Sequence, residues 1–145
     1  MNQTPCSDYV ETYGMFFFAR MLDKIRLHHK GVLPEGYNLG FSDQTSFDAR
    51  LCRFWELDYD QITKWALEGK TNEEVFDACF ANRSRPNAEQ ILVWNQFLIK
   101  RGWRDEGGEG LQAEKERYGF GQRDDIVTWV DLHDADEGRK PRFSE

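Results

Sequence analysis

Charged side chains stand inside the most apolar stretch of the chain. Arg20 and Asp23 are two of them, within residues 16–27, a stretch that also contains three consecutive phenylalanines. A planar guanidinium binds carboxylates and phosphates through paired hydrogen bonds, so Arg20 is a candidate for binding a small anion or an acid-bearing metabolite. Because the two residues are three apart on the predicted helix, a structural ion pair at a helix interface is the competing interpretation.

The second apolar stretch, residues 91–99, also contains a polar side chain. Asn95 falls on the same helical face as Ile91 and Leu98, and a buried amide needs hydrogen-bond partners. Those partners are either a ligand or the backbone of a neighbouring loop. Arg104 follows this stretch and offers a second cation to an anion. The predicted ligand-binding set is therefore Arg20, Asp23, Asn95 and Arg104.

Acidic residues near the C-terminus offer a different chemistry. Asp131, Asp134 and Asp136 surround His133, and oxygen ligands suit calcium or magnesium. These residues are weak metal candidates, because a solvated acidic turn explains the same composition. They also define the alternative function, an enzyme in which Asp23 works with Asp131 or Asp134, with or without a divalent metal. We predict no cofactor.

Helical periodicity and capping signals predict an all-α fold. Apolar residues recur at spacings of three and four, and serine, threonine, aspartate or asparagine precedes most apolar runs. We predict one compact domain over residues 1–145, a bundle of six or seven short helices around two apolar central helices at 16–26 and 91–99. Residues 1–7 are expected to form a flexible arm and residues 138–145 a loose tail.

The last apolar segment is compatible with two structures. Residues 125–133 are rich in β-branched side chains, which favour a strand. Ile126 and Trp129 fit a helical period, and we therefore favour a helix with Asp124 or Asp125 as its N-cap.

Composition limits the possible functions. The chain has 145 residues and a net charge of -7, which disfavours nucleic-acid and anionic-membrane partners. Three widely spaced cysteines without a CxxC motif predict reduced thiols and no zinc site. No signal region or membrane span is evident, so a cytoplasmic location is expected. The GxSxG, Walker P-loop, GxGxxG and HExxH motifs are missing from the sequence, so the catalytic residues of any enzyme stay unknown.

Several segments resemble a bacterial family of uncharacterised proteins, domain of unknown function 5069. The similar segments are residues 19–26, 31–38, 94–105, 123–129 and 136–139. The resemblance implies a small, cytoplasmic, mainly helical domain, and it transfers no catalytic residue. Residues 38–44 depart from the family pattern, which leaves the role of that loop open.

The leading functional hypothesis is a non-enzymatic module that binds a small anion or a protein partner. The missing catalytic motifs and the polar residues embedded in apolar helices motivate it. A protein partner would bind exposed aromatic side chains such as Trp55, Trp65 or a phenylalanine, and the oligomeric state is left open. The carboxylate enzyme described above is the alternative.

Overall fold

A computed structural model describes residues 2–143, in which helices account for nearly all of the regular structure. This confirms the predicted all-α fold, with seven α-helices and one short hairpin in the described part of the chain. The elements are β1 (Glu11–Thr12), β2 (Met15–Phe16), α1 (Phe18–His29), α2 (Phe47–Phe54), α3 (Tyr59–Leu67), α4 (Asn72–Cys79), α5 (Ala88–Lys100), α6 (Gly108–Arg117) and α7 (Trp129–Asp136). A single turn of 3₁₀ helix covers Gly40–Ser42.

The chain divides into two compact units, residues 1–91 and 92–145. The single domain expected from the sequence stays a prediction. In the first unit α1 packs against α3, α4 and β1.

A tight hairpin leads directly into α1. The antiparallel strands pair Glu11 with Phe16, and the turn places Tyr13 and Gly14 at φ values of 50° and 85°. Positive φ at both central turn residues matches the right-handed twist of the flanking strands. The second strand of the hairpin is followed almost directly by α1, which begins at Phe18.

Aromatic and aliphatic side chains fill the core around α1. The Phe18 ring meets Phe76 of α4 edge to face, with centroids 5.4 Å apart, and Phe17 meets Phe47 of α2 in the same way. Met21 and Leu22 are fully buried. Side chains on more than one side of α1 are covered, as expected for a helix that is apolar nearly all round.

The second unit has its own small core. Leu111 of α6 packs with Leu132 of α7 and with Ile126, which precedes α7, and Phe120 and Trp129 are partly buried against them. The structure has a helix in this region and no strand, but α7 begins at Trp129, so residues 125–128 of the predicted helix are not helical.

The predicted N-cap of that helix was wrong. Thr128, and not Asp124 or Asp125, caps α7, because its hydroxyl accepts the Asp131 amide while Asp131 bonds the Thr128 amide. This reciprocal pair satisfies two free backbone donors of the first turn.

Candidate functional site

Arg20 is buried and its guanidinium is engaged within the protein. The residue is 3% exposed. Its Nη1 donates to the carbonyl oxygen of Cys6 at 3.0 Å, and its Nε lies 3.8 Å from Oδ1 of Asp8, a fully buried carboxylate. The guanidinium also lies over the Tyr37 ring at 5.9 Å. Arg20 thus joins α1 to the chain segment that precedes the hairpin.

Asp23 binds the same N-terminal segment one helical turn later. Its Oδ2 accepts the backbone N–H of Cys6 at 2.8 Å. Arg20 donates to the Cys6 carbonyl, and Asp23 accepts from the Cys6 amide. The two predicted site residues therefore satisfy both backbone groups of one residue. Farther along the segment, Gln3 N donates to Val32 O at 2.8 Å. The flexibility of residues 1–7 stays a prediction.

A second buried ion pair, which the sequence analysis missed, lies next on α1. Lys24 Nζ approaches Asp48 Oδ1 at 2.5 Å and donates to the carbonyl of Asn38 at 2.8 Å. The other Asp48 oxygen accepts the Gly40 amide at 2.9 Å. Burial lowers the pKa of Lys24, and Asp48 opposes that shift. The pair therefore anchors the loop of residues 38–40 to both α1 and α2.

Gly40 is required by the geometry of this loop. It has a φ of 57°, and an added Cβ would lie 2.5 Å from the Tyr59 ring. We expect Gly40→Ala to lower the free energy of unfolding by about 2–4 kcal/mol, because left-handed strain and overpacking add. Gly36→Ala is the matched control, since Gly36 has a φ of 95° and open space around it. Urea unfolding measures both, and equal losses would show that Tyr59 does not constrain the loop.

The other two predicted ligand residues belong to the second unit. Asn95 is half-buried on α5, and Arg104 is exposed. The Arg104 guanidinium lies 5.0 Å from the Trp103 ring centroid, and its backbone adopts a φ of 55°. Of the four residues, the structure brings Arg20 and Asp23 together on Cys6; ligand binding by the set stays a prediction.

The three acidic metal candidates have separate environments. Asp131 Oδ2 accepts the amides of Val127 and Thr128, so that carboxylate stabilises the start of α7. Asp134 lies 3.5 Å from the Arg139 guanidinium, and Asp136 is exposed. Residues 2–143 contain no group of three histidine, cysteine, aspartate or glutamate side chains with metal-binding geometry.

Cys52 and Cys79 are poor nucleophiles. Burial raises the pKa of Cys52 to about 12, and burial likewise raises the pKa of Cys79 to about 12. A thiol must ionise to attack, so both side chains stay protonated at neutral pH. They act as small apolar packing residues.

Helix α5 carries a cluster of exposed apolar side chains. Leu92 and Val93 are 52% and 51% exposed, and Phe97 is 37% exposed. Trp94 and Leu98 of the same helix are buried. One side of α5 therefore fits the expected central helix, while the other presents apolar groups to solvent. We call Leu92, Val93, Gln96 and Phe97 the outward face of α5.

A family model with the description Domain of unknown function (DUF5069) matches residues 2–139. The chain belongs to this family. It matches none of the curated proteins with which it was compared. The DUF5069 match covers every helix of both units and confirms the resemblance seen in the sequence. Within residues 2–143, no helix combines the length and apolar content that crossing a bilayer requires.

The buried pair of this DUF5069 chain left only a weak signal in the sequence. Lys24 lies four residues after Arg20, where two cations repel unless an acid intervenes. Lys24 pairs with Asp48, 24 residues away along the chain, while Arg20 lies beside Asp8. Residues 45–48 resemble a capping box in which Asp48 replaces the usual glutamate or glutamine, and this replacement is the one local sign that Asp48 has another partner.

Proposed function

We propose that this DUF5069 chain is a non-enzymatic protein-interaction module of the bacterial cytoplasm, and that it binds its partner through the outward face of α5. The observation that carries the proposal is the group of exposed apolar side chains at Leu92, Val93 and Phe97. Neighbouring exposed apolar groups mark protein–protein contact surfaces more often than scattered ones do. Cys52 and Cys79 form no disulfide, which supports the cytoplasmic location.

The aromatic residues first considered for this role have other positions. Trp55 is only 5% exposed and packs edge to face with Phe54 and Phe80, so the expectation that it is a surface anchor was wrong. Trp65 is half-buried. The phenylalanine alternative is supported instead, through Phe97 on α5.

The contacts of the charged residues favour this proposal over anion binding. Arg20 already holds the Cys6 carbonyl and lies beside the buried Asp8 carboxylate, so an anionic ligand would have to compete with both. The carboxylate enzyme has weaker support. Asp23 and Asp131 each accept backbone amides, contacts that fix both carboxylates in place within the protein.

Site-specific photo-crosslinking tests the proposed function. A benzophenone amino acid is placed at Val93 or, as the control, at Lys64, an exposed polar residue of α3. In living cells that produce the protein, position 93 should give protein adducts of defined mass, and Phe97→Asp in the same chain should remove them. Adducts that are missing at position 93, or that match those at position 64, would contradict the proposal.

A further inference from the structure

The exposed side of α5 has a symmetric pattern of residue types. Successive residues turn by about 100°, so Glu89, Val93, Gln96 and Lys100 run along the middle of this side. Glu89 and Lys100 are both exposed, and Gln96 accepts a hydrogen bond from Lys100. Leu92 and Phe97 flank this line on opposite edges. Trp94 and Leu98 occupy the opposite, buried side.

Each residue of the pattern has a counterpart equally far from one point on the helix, between Trp94 and Asn95. The counterparts are Glu89 with Lys100, Val93 with Gln96, and Leu92 with Phe97. The acid and the base are about 16 Å apart along the axis. A helix with this pattern is complementary to an antiparallel copy of itself.

We propose that the partner of the outward face is a second copy of this chain, bound through antiparallel pairing of the two α5 helices. Glu89 of each copy then faces Lys100 of the other, and Val93 faces Gln96. The four flanking side chains, Leu92 and Phe97 of both copies, close over the edges of the contact. This inference rests on the proposed function, since it names the partner of the same surface.

Charge supports this particular occupant. Each chain has a net charge of -7, so two copies repel unless opposite charges meet locally. Antiparallel pairing brings two acid–base pairs together, whereas parallel pairing would place acid beside acid and base beside base. A two-fold axis makes the contact self-complementary and closed. One helix face is smaller than a standard interface, so the dimer should be weak and concentration-dependent.

Charge reversal gives a direct test by sedimentation equilibrium from about 1 μM to about 1 mM. Wild type should show a monomer–dimer equilibrium. Glu89→Lys alone and Lys100→Glu alone should each raise the dimer dissociation constant about tenfold, because two attractive pairs become repulsive. An equimolar mixture of the two variants should dimerise as tightly as wild type, since both mixed pairs are attractive.

Glu73→Lys is the matched control, because Glu73 is also an exposed acid in the first turn of its helix, α4. It should leave the dissociation constant within about twofold of wild type, which separates the contact from effects on helix ends. The mixing experiment separates the contact from misfolding, since a variant that fails to fold cannot be rescued by its partner.

Three outcomes would overturn the inference: a wild type that stays monomeric throughout, a dimer that ignores both charge reversals, or a mixture that fails to recover association. Failure of the proposed function is distinguishable from each. A monomeric chain whose position 93 crosslinks to a different protein retains the proposed function and loses self-pairing. A monomeric chain with no adduct at position 93 loses both.

Discussion

Asp48→Ala is expected to lower the free energy of unfolding by about 3–5 kcal/mol. The substitution leaves the Lys24 ammonium, which is 5% exposed, without the carboxylate that lies 2.5 Å away. It also removes the acceptor of the Gly40 amide. A buried charge that loses its partner keeps its desolvation cost and loses the compensating attraction. Urea unfolding monitored by circular dichroism measures the loss.

An exposed pair supplies the control for Asp48→Ala. Asp77 pairs with Arg85 at 2.8 Å, but about half of each side chain is exposed. Asp77→Ala should therefore cost less than about 1 kcal/mol. The double variant Lys24→Met/Asp48→Leu should recover most of the lost stability, because an apolar pair replaces the ionic one. Equal losses from the two aspartate variants would contradict the assigned role of the buried pair.

Arg20→Ala should cost about 3 kcal/mol. It removes the guanidinium beside the buried Asp8 carboxylate and leaves the Cys6 carbonyl without this donor. Arg20→Lys should lower the free energy of unfolding less than Arg20→Ala does, because lysine keeps the positive charge and lacks only the planar guanidinium. The midpoint of urea unfolding reports both. Arg117→Ala is the control, since Arg117 is 72% exposed and its pair with Glu114 is on the surface.

Arg20→Ala also distinguishes a structural role for Arg20 from a ligand-binding role. Phosphate and succinate should change the melting temperatures of wild type and of Arg20→Ala by the same amount. A variant that retains its stability in buffer, yet loses an anion-induced rise in melting temperature, would return Arg20 to the class of ligand-binding residues.

Local capping signals allowed several helix starts to be predicted from the sequence. Thr71 and Glu74 exchange the two hydrogen bonds of a capping box at α4, and Asn87 and Gln90 do so at α5. Asp58 caps α3 by accepting the Gln61 amide. These contacts join residues three apart, so the sequence contains all the information that they need.

Contacts between distant residues were not predictable in the same way. Arg20 meets Cys6, and Lys24 meets Asp48, only after the chain has turned back on itself. The sequence correctly placed Arg20 in an apolar setting, but it left open whether protein or ligand surrounds the guanidinium. The cap of α7 was misplaced because three acids or hydroxyls, Asp124, Asp125 and Thr128, compete as caps within five positions.

The burial of side chains along α5 could not be predicted from hydrophobic composition alone. Residues 91–99 are nearly all apolar, a composition typical of a helix that is covered on every side. Hydrophobicity indicates that a face can be buried, but the covering element is set by the fold. In α5 the Leu92 and Val93 side chains stay half exposed, and this difference between composition and burial is the observation that identifies the outward face.

The central claim is that the charged groups of α1 stabilise the fold and that the outward face of α5, as we propose, binds a protein partner. The unfolding free energy of Leu92→Gln/Val93→Gln, measured where the chain is monomeric, tests it most directly. We predict a loss below about 1 kcal/mol, because both side chains are half exposed. Leu98→Ala, on the buried side, should lose about 2–5 kcal/mol. A loss from the double variant as large as that from Leu98→Ala would show that the outward face is part of the core, and would contradict the account.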